Sequence, residues 1–276
     1  MCIRDSYNTD GSLDTTFGGG DGIVTTSLGT IQDRGVSIAI QPDGNIVVGG
    51  FTIVSSGNYD LALLRYDTNG DLDPSFGNGN GFVTTSTGSS VEGINDITLL
   101  ADGRILATGS SVIGSGAFDI MLTRYNADGS LDTTFGGGDG IVTTAVGSGS
   151  EVGYSVAVQP DGRIIVGGHT LNGSNNDFAL LRYNTDGTLD NAFGGGNGIV
   201  TTPIGPGHDY GRSVVLQDDG SIVIGGYSSN GSNDDFTLVR YDTNGDLDPT
   251  FGAGGCLLYT SPSPRDATLS RMPSSA

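Results

Sequence analysis

A six-residue string, Leu-Asp-x-x-Phe-Gly, begins at Leu13, Leu72, Leu131, Leu189 and Leu247, returning after 59, 59, 58 and 58 residues. An Asp-Gly pair at Asp43, Asp102, Asp161 and Asp219 keeps the same step, as does an Arg-Tyr pair at Arg65, Arg124, Arg182 and Arg240. Three independent markers on one period describe a repeated unit that must bury its apolar faces against its own copies.

Within one unit, "VSIAIQ" alternates, "NIVVGG" is a short apolar run, "YDLALLRY" alternates again, and "FVTTS" follows "DTNGDLDPSFGNGNG". These segments read as four strands, A to D. The Asp-Gly turn joins A to B as a hairpin, because glycine supplies the positive φ that such a turn needs. Composition agrees: 49 glycines and no lysine leave many turns and few good helix formers. The expected fold is all-β, a β-propeller of four-stranded antiparallel blades in four units of 58–59 residues, with a linear solenoid as the competing arrangement.

The strings "LDTTFGGGDGIVTT", "IAIQPDGNIVVGG" and "DLALLRYDTNGDLD" resemble the delta-60 repeat family of bacterial β-propellers, and the likeness spans every complete unit. The A-B hairpin also resembles that of NHL-type propellers, which implies that A is innermost. The resemblance implies a secreted or cell-surface bacterial protein without an enzymatic activity.

The regularity stops at both ends. Cys256 to Ser261 can be encoded by a DNA string whose reverse complement, read in another frame, gives Met1 to Asp5. Both ends therefore resemble translations of a transposon-end sequencing adapter. The expectation is an adapter-derived segment over 1–6, a propeller repeat domain over 7–255, and an adapter-derived, disordered segment over 256–276. The repeat domain is then a piece of a larger ring, an open arc or a strained closure. Alternatively, the N-terminal D strand near Ile23 completes the last A-B-C set and closes four blades.

A net charge of -20 repels phosphate backbones and anionic headgroups, and the arginines from Arg34 to Arg240 are scattered, so neither nucleic-acid binding nor membrane insertion is expected. His169 and His208 lack zinc spacing, and no Gly-x-Ser-x-Gly elbow is present. The runs "GGGDG" and "GNGNG" lead into strands and carry no phosphate-binding lysine.

Two acidic columns repeat in every unit. Asp33, Glu92, Glu151 and Asp209 stand ten residues before the turn aspartate, and Asp60, Asp119, Asp177 and Asp235 stand five before the Arg-Tyr arginine. Their connections emerge on one face, where the acids either accept backbone hydrogen bonds and fix turns or form a cation-binding face, with calcium the candidate ion. Asp67, Asn69 and Asp71 resemble the opening of a calcium loop, but Leu72 stands where its glycine belongs, which favours a plain turn. A structural clamp is expected between Arg65 and Asp73, Arg124 and Asp132, Arg182 and Asp190, and Arg240 and Asp248. The B-to-C connections vary between units and carry "NGS" at Asn172 and Asn230, which reads as a recognition surface or, in a eukaryotic source, as glycosylation sites.

The expected function is a non-enzymatic scaffold that presents an acidic loop face to a protein or glycan partner. A calcium-stabilised adhesion module, an architectural stalk spacer and an enzyme with an axial site are the alternatives. The enzyme requires unlike polar residues converging at the axis, whereas the polar columns near the turns repeat.

Overall fold

Each Asp-Gly turn closes as its sequence requires. Gly44 adopts φ 90° and donates to the Gln41 carbonyl, while the Asp43 carboxylate accepts the Asn45 amide. The result in every unit is a hairpin of the first two strands. The computed structural model describes residues 2–29, 31–55, 57–88, 91–112, 116–252 and 254–259.

Four antiparallel four-stranded sheets follow one another along the chain. Blade I holds β3 (Gln32–Ile40), β4 (Ile46–Ser55), β5 (Asn58–Tyr66) and β6 (Phe82–Thr85). Blade II holds β7 (Glu92–Leu99), β8 (Ile105–Val112), β9 (Phe118–Tyr125) and β10 (Ile141–Thr144). Blade III holds β11 (Glu151–Val158), β12 (Ile164–Asn172), β13 (Asn175–Tyr183) and β14 (Ile199–Thr202). Blade IV holds β15 (Asp209–Leu216), β16 (Ile222–Ser229), β17 (Asp234–Tyr241) and β18 (Cys256–Tyr259). Before them, β1 (Cys2–Asp5) and β2 (Ile23–Thr26) pair as a half-blade.

The first strands of successive blades, β3, β7, β11 and β15, lie against one another, so they form the inner rim. The three interblade cores bring the third strand of one blade against the first strands of the next. Leu61 and Leu63 of β5 pack with Ile94 and Ile97 of β7, and the same meeting recurs twice further along. Burying each such side chain stabilises the stack by about 1.5–3 kcal/mol.

The repeat markers are the hardware of these interfaces. Phe76, Phe135 and Phe193 of the Leu-Asp-x-x-Phe-Gly strings are fully buried under the turn glycines Gly129, Gly187 and Gly245 of the following blade. The Arg-Tyr pair works in both directions. Tyr125 and Tyr183 donate back to Thr85 and Thr144 on the outer strand of the preceding blade, while Arg65, Arg124 and Arg182 reach forward to the carbonyls of Ala127, Thr185 and Thr243.

Among the described residues no comparable contact joins blade IV to blade I or to the half-blade, so the sheets form an open arc. The outer faces show it. Ile38 is 48% exposed although its counterparts Ile97, Val156 and Val214 are each 5%, and Leu238 is 41% exposed where Leu63 is 1%.

At the ends, β2 pairs with β1, so the alternative in which it completes the last blade does not hold, whereas the open arc does. Cys256–Tyr259, expected to be disordered, forms β18 against Phe236–Val239. The cause is the open edge of β17, whose amides and carbonyls any short extended run can satisfy through its backbone alone. Leu257 and Leu258 remain largely exposed at positions where the other blades carry valine and threonine. Residues 260–276 lie outside the described residues.

Candidate functional site

The first acidic column begins the inner strands, and its carboxylates turn inward to brace the preceding loop. Asp33, Glu92, Glu151 and Asp209 are all buried. Asp33 accepts the Leu28 amide at 2.9 Å and the Thr52 hydroxyl at 2.6 Å, and Asp209 accepts the Ile204 amide at 2.8 Å. Glu92 accepts from the Thr87 amide and Glu151 from the Gly147 amide.

The second column sits inside the third strands, where Asp60, Asp119, Asp177 and Asp235 lie opposite Thr52, Ser111, Thr170 and Ser228. Asn172 donates to Asp177, and Asn230 to Asp235. Each of the first three also faces the first-column acid of the following blade. Burial pushes the Glu92, Glu151 and Asp209 carboxyls up, and Asp60, Asp119 and Asp177 add to the rise. At Asp33 burial acts the same way, but the Thr52 hydroxyl and the Leu28 and Gly29 amides outweigh it and hold the carboxyl below its usual range. The first column braces loops and the second lies at the interblade contacts, where Asp60 Oδ1, Glu151 Oε2 and Asp177 Oδ1 are buried without a hydrogen-bond partner among the described residues. Among the described residues, no three His, Cys, Asp or Glu side chains converge as a metal centre. Asp67 accepts the Asn69 and Asp71 amides and shapes its own turn.

The clamp columns meet as pairs. Arg65, Arg124 and Arg182 donate through Nε to Asp73, Asp132 and Asp190, each at 2.8 Å, and Arg240 does the same to Asp248. Each guanidinium also covers the ring of Phe76, Phe135, Phe193 or Phe251. The Thr134 hydroxyl, acting against burial and helped by Arg104 and Arg124, holds the Asp132 carboxyl far below the usual carboxylate range.

The unlike residues lie beside these repeated ones. Every inner strand carries a β-bulge, with the register slipping between Gly35 and Ser37, Ile94 and Asp96, Gly153 and Ser155, and Gly211 and Ser213. The bulge explains the Gly of the "VVGG" string, since a Cβ on Gly50 would stand 1.8 Å from the Arg34 carbonyl oxygen. The skipped residues are Val36, Asn95, Tyr154 and Arg212, four different side chains at one structural position. Bulges re-aim side chains in this way beside functional sites.

At blades III and IV the skipped residues meet. The Arg212 guanidinium lies 4.1 Å from the centroid of the Tyr154 ring and 5.4 Å from those of Tyr210 and Tyr227, and donates to the Tyr227 hydroxyl at 2.9 Å. His169, opposite Val152 on β12, packs edge-on to Tyr210 at 4.8 Å and against Tyr154 at 5.5 Å. It is buried, its Nδ1 has no hydrogen-bond partner, and burial, with Arg212 and His208 nearby, pushes its pKa down to about 4. The imidazole is therefore neutral at physiological pH. His208, in the loop entering β15, stacks at 6.0 Å on Tyr210 and accepts the amide of Asn176 at the start of β13.

On blade II, Asp96 replaces a serine found in the other units. Its carboxylate accepts the Ser37 hydroxyl at 2.8 Å and the Ser155 hydroxyl at 3.2 Å, tying three inner strands together. Sequence reasoning aligned what repeats and so passed over these residues. The available signal was the reverse one, columns where Val36, Asn95, Tyr154 and Arg212, or Phe51, Ser110, His169 and Tyr227, disagree inside an otherwise constant frame.

Four stacked antiparallel sheets with converging first strands, locked by one repeated set of interface residues, define a β-propeller repeat protein. The chain belongs to the family described as "Domain of unknown function (DUF5122) beta-propeller", matched at residues 41–76, 100–135, 159–193 and 217–251. No curated protein matches the sequence. Among solved structures, the chain is similar to a Bacteroides caccae protein of unknown function at 14% identity and a TM-score of 0.47, covering 93% of this chain and 80% of that one. A gluconolactonase from Xanthomonas campestris shows 13% identity and a TM-score of 0.43, covering 81% of this chain and 61% of that one. The GH43_1 enzyme from Xanthomonas citri shows 9% identity and a TM-score of 0.41, covering 76% and 69%.

Proposed function

We propose that the chain is a non-enzymatic binding module of a secreted or surface-attached protein, and that it recognises its partner through the unlike residues at the bulges of blades III and IV. The observation that carries this reading is the seat of Arg212. Of the eight arginines from Arg34 to Arg240, six pair with carboxylates, whereas Arg212 and Arg34 have aromatic rings as their neighbours and no carboxylate among the described residues. In a chain with 31 acids, such an arrangement keeps a guanidinium available for a partner. The tyrosines around it offer rigid amphipathic contact area at low entropic cost.

This reading moves the recognition surface away from the acidic columns, the first of which is buried and accepts loop amides. The loop entering β15 still borders the site, because its His208 accepts the amide of Asn176 at the start of β13. A binding screen of surface glycans and proteins against the full chain and its Tyr154→Ala/Arg212→Ala variant tests the proposal. Ligands captured by the wild type should be lost by the variant. Capture that is equal for both would remove the cluster from consideration.

A further inference from the structure

We infer that the cluster formed by Tyr154, Tyr210, Arg212 and Tyr227 is a subsite for a singly charged, carboxylate-bearing sugar ring, a uronic acid unit of a polysaccharide. The inference rests on the binding-module reading above and names its ligand class.

Two features of the site select such a ligand. The tyrosine rings present electron-rich faces, and the C–H edge of a pyranose carries the complementary partial positive charge, as in edge-to-face packing. Each ring also ends in a hydroxyl that can bond to a sugar hydroxyl. Tyr154, Tyr210 and Tyr227 are all partly exposed.

The second feature is charge. Arg212 is exposed, and the hydrogen bond from one Nη to the Tyr227 hydroxyl fixes the plane of the fork while leaving other N–H groups to donate. A planar guanidinium held in this way matches a carboxylate in geometry as well as sign. It is the one permanently charged cation of the cluster, since the buried His169 is neutral. One guanidinium fork therefore pairs with one carboxylate of one sugar ring.

Behind these rings the buried His169 packs against Tyr154 and Tyr210 and backs the platform from inside the blade. The cluster thus holds an aromatic platform and an anion fork within one patch.

The test uses calorimetric titration of the full chain with trigalacturonate and with the neutral trisaccharide galactotriose. We expect trigalacturonate to bind at least about tenfold more tightly than galactotriose, and Arg212→Gln to erase that preference. Arg212 is exposed, so this variant should fold as the wild type does, which its circular dichroism checks. Tyr154→Phe keeps the ring and should retain binding, while Tyr154→Ala should weaken it. Equal affinity for both trisaccharides, or a preference that survives Arg212→Gln, would overturn the ligand class; if that binding still falls in Tyr154→Ala, the binding module stands. Failure of both trisaccharides to bind also overturns the ligand class and leaves the binding-module reading to its own screen.

Discussion

The guanidinium of Arg124 donates through Nε to the Asp132 carboxylate at 2.8 Å and through Nη1 to the Thr185 carbonyl of the next blade. One buried side chain thereby closes its own turn and grips its neighbour. Removing it leaves Asp132 buried with Arg104 as its remaining cation. Arg124→Met should cost about 3 kcal/mol, read from urea denaturation. Arg240 makes the same pair with Asp248 on the outer sheet, but both side chains are part-exposed there. Arg240→Met should cost about 1 kcal/mol. Equal losses at the two sites would mean that the interblade grip contributes nothing.

Gly187 is required twice over, by its φ of 90° and by the Phe135 ring, which a Cβ would approach to 2.9 Å. Gly137, at φ 83°, has nothing within 4 Å of the same atom. Gly137→Ala should therefore lose about 1 kcal/mol through backbone strain alone, and Gly187→Ala about 2–4 kcal/mol because overpacking is added. Thermal melts of the two variants separate the contributions.

The carboxyls divide by sign in their pH dependence. Glu92, Glu151 and Asp209 have folded pKa values above their unfolded ones, so the stability they contribute is complete at low pH and is lost as pH rises through the folded values. Asp73, Asp132 and Asp190 are lowered, so their contribution is present at neutral pH and is lost as pH falls through the folded values. Accordingly, Glu151→Gln should raise the melting temperature by a few degrees at pH 7 and by less at pH 4, whereas Asp132→Asn should lower it at pH 7. Melts from pH 3 to 8 would show curves of opposite slope for the two variants.

Calcium is expected to leave stability unchanged. At least one oxygen each of Asp33, Glu92, Glu151 and Asp209 accepts an amide proton from the loop it braces, and a cation bound at that oxygen would have to displace the donor. Melts recorded with calcium and with a chelator should coincide; a rise of several degrees with calcium would reinstate the cation face.

The blades were legible because their interfaces are built from repeated residues. Leu-Asp-x-x-Phe-Gly supplies the buried phenylalanine, Arg-Tyr the forward and backward hydrogen bonds, and Asp-Gly the hairpin turn, so one period in the sequence becomes one period in space. The Arg65–Asp73 contact followed from the two residues flanking one short turn. What the strings could not show was the bulge, which breaks the alternation of an inner strand and turns one residue toward the neighbouring blade. Arg212 and Tyr154 are 58 residues apart and differ in type, so an alignment by likeness had no reason to join them. The burial of the acidic columns was equally hidden, because only the folded loops bring amides such as those of Leu28 and Ile204 to the carboxylates.

The most direct test of the recognition site is a crystal structure of the full chain soaked with trigalacturonate. The account predicts a sugar ring packed on Tyr154 or Tyr227 with its carboxylate within hydrogen-bond reach of the Arg212 guanidinium. A ligand bound only at the loops away from blades III and IV, with Arg212 still resting on Tyr154, would contradict it.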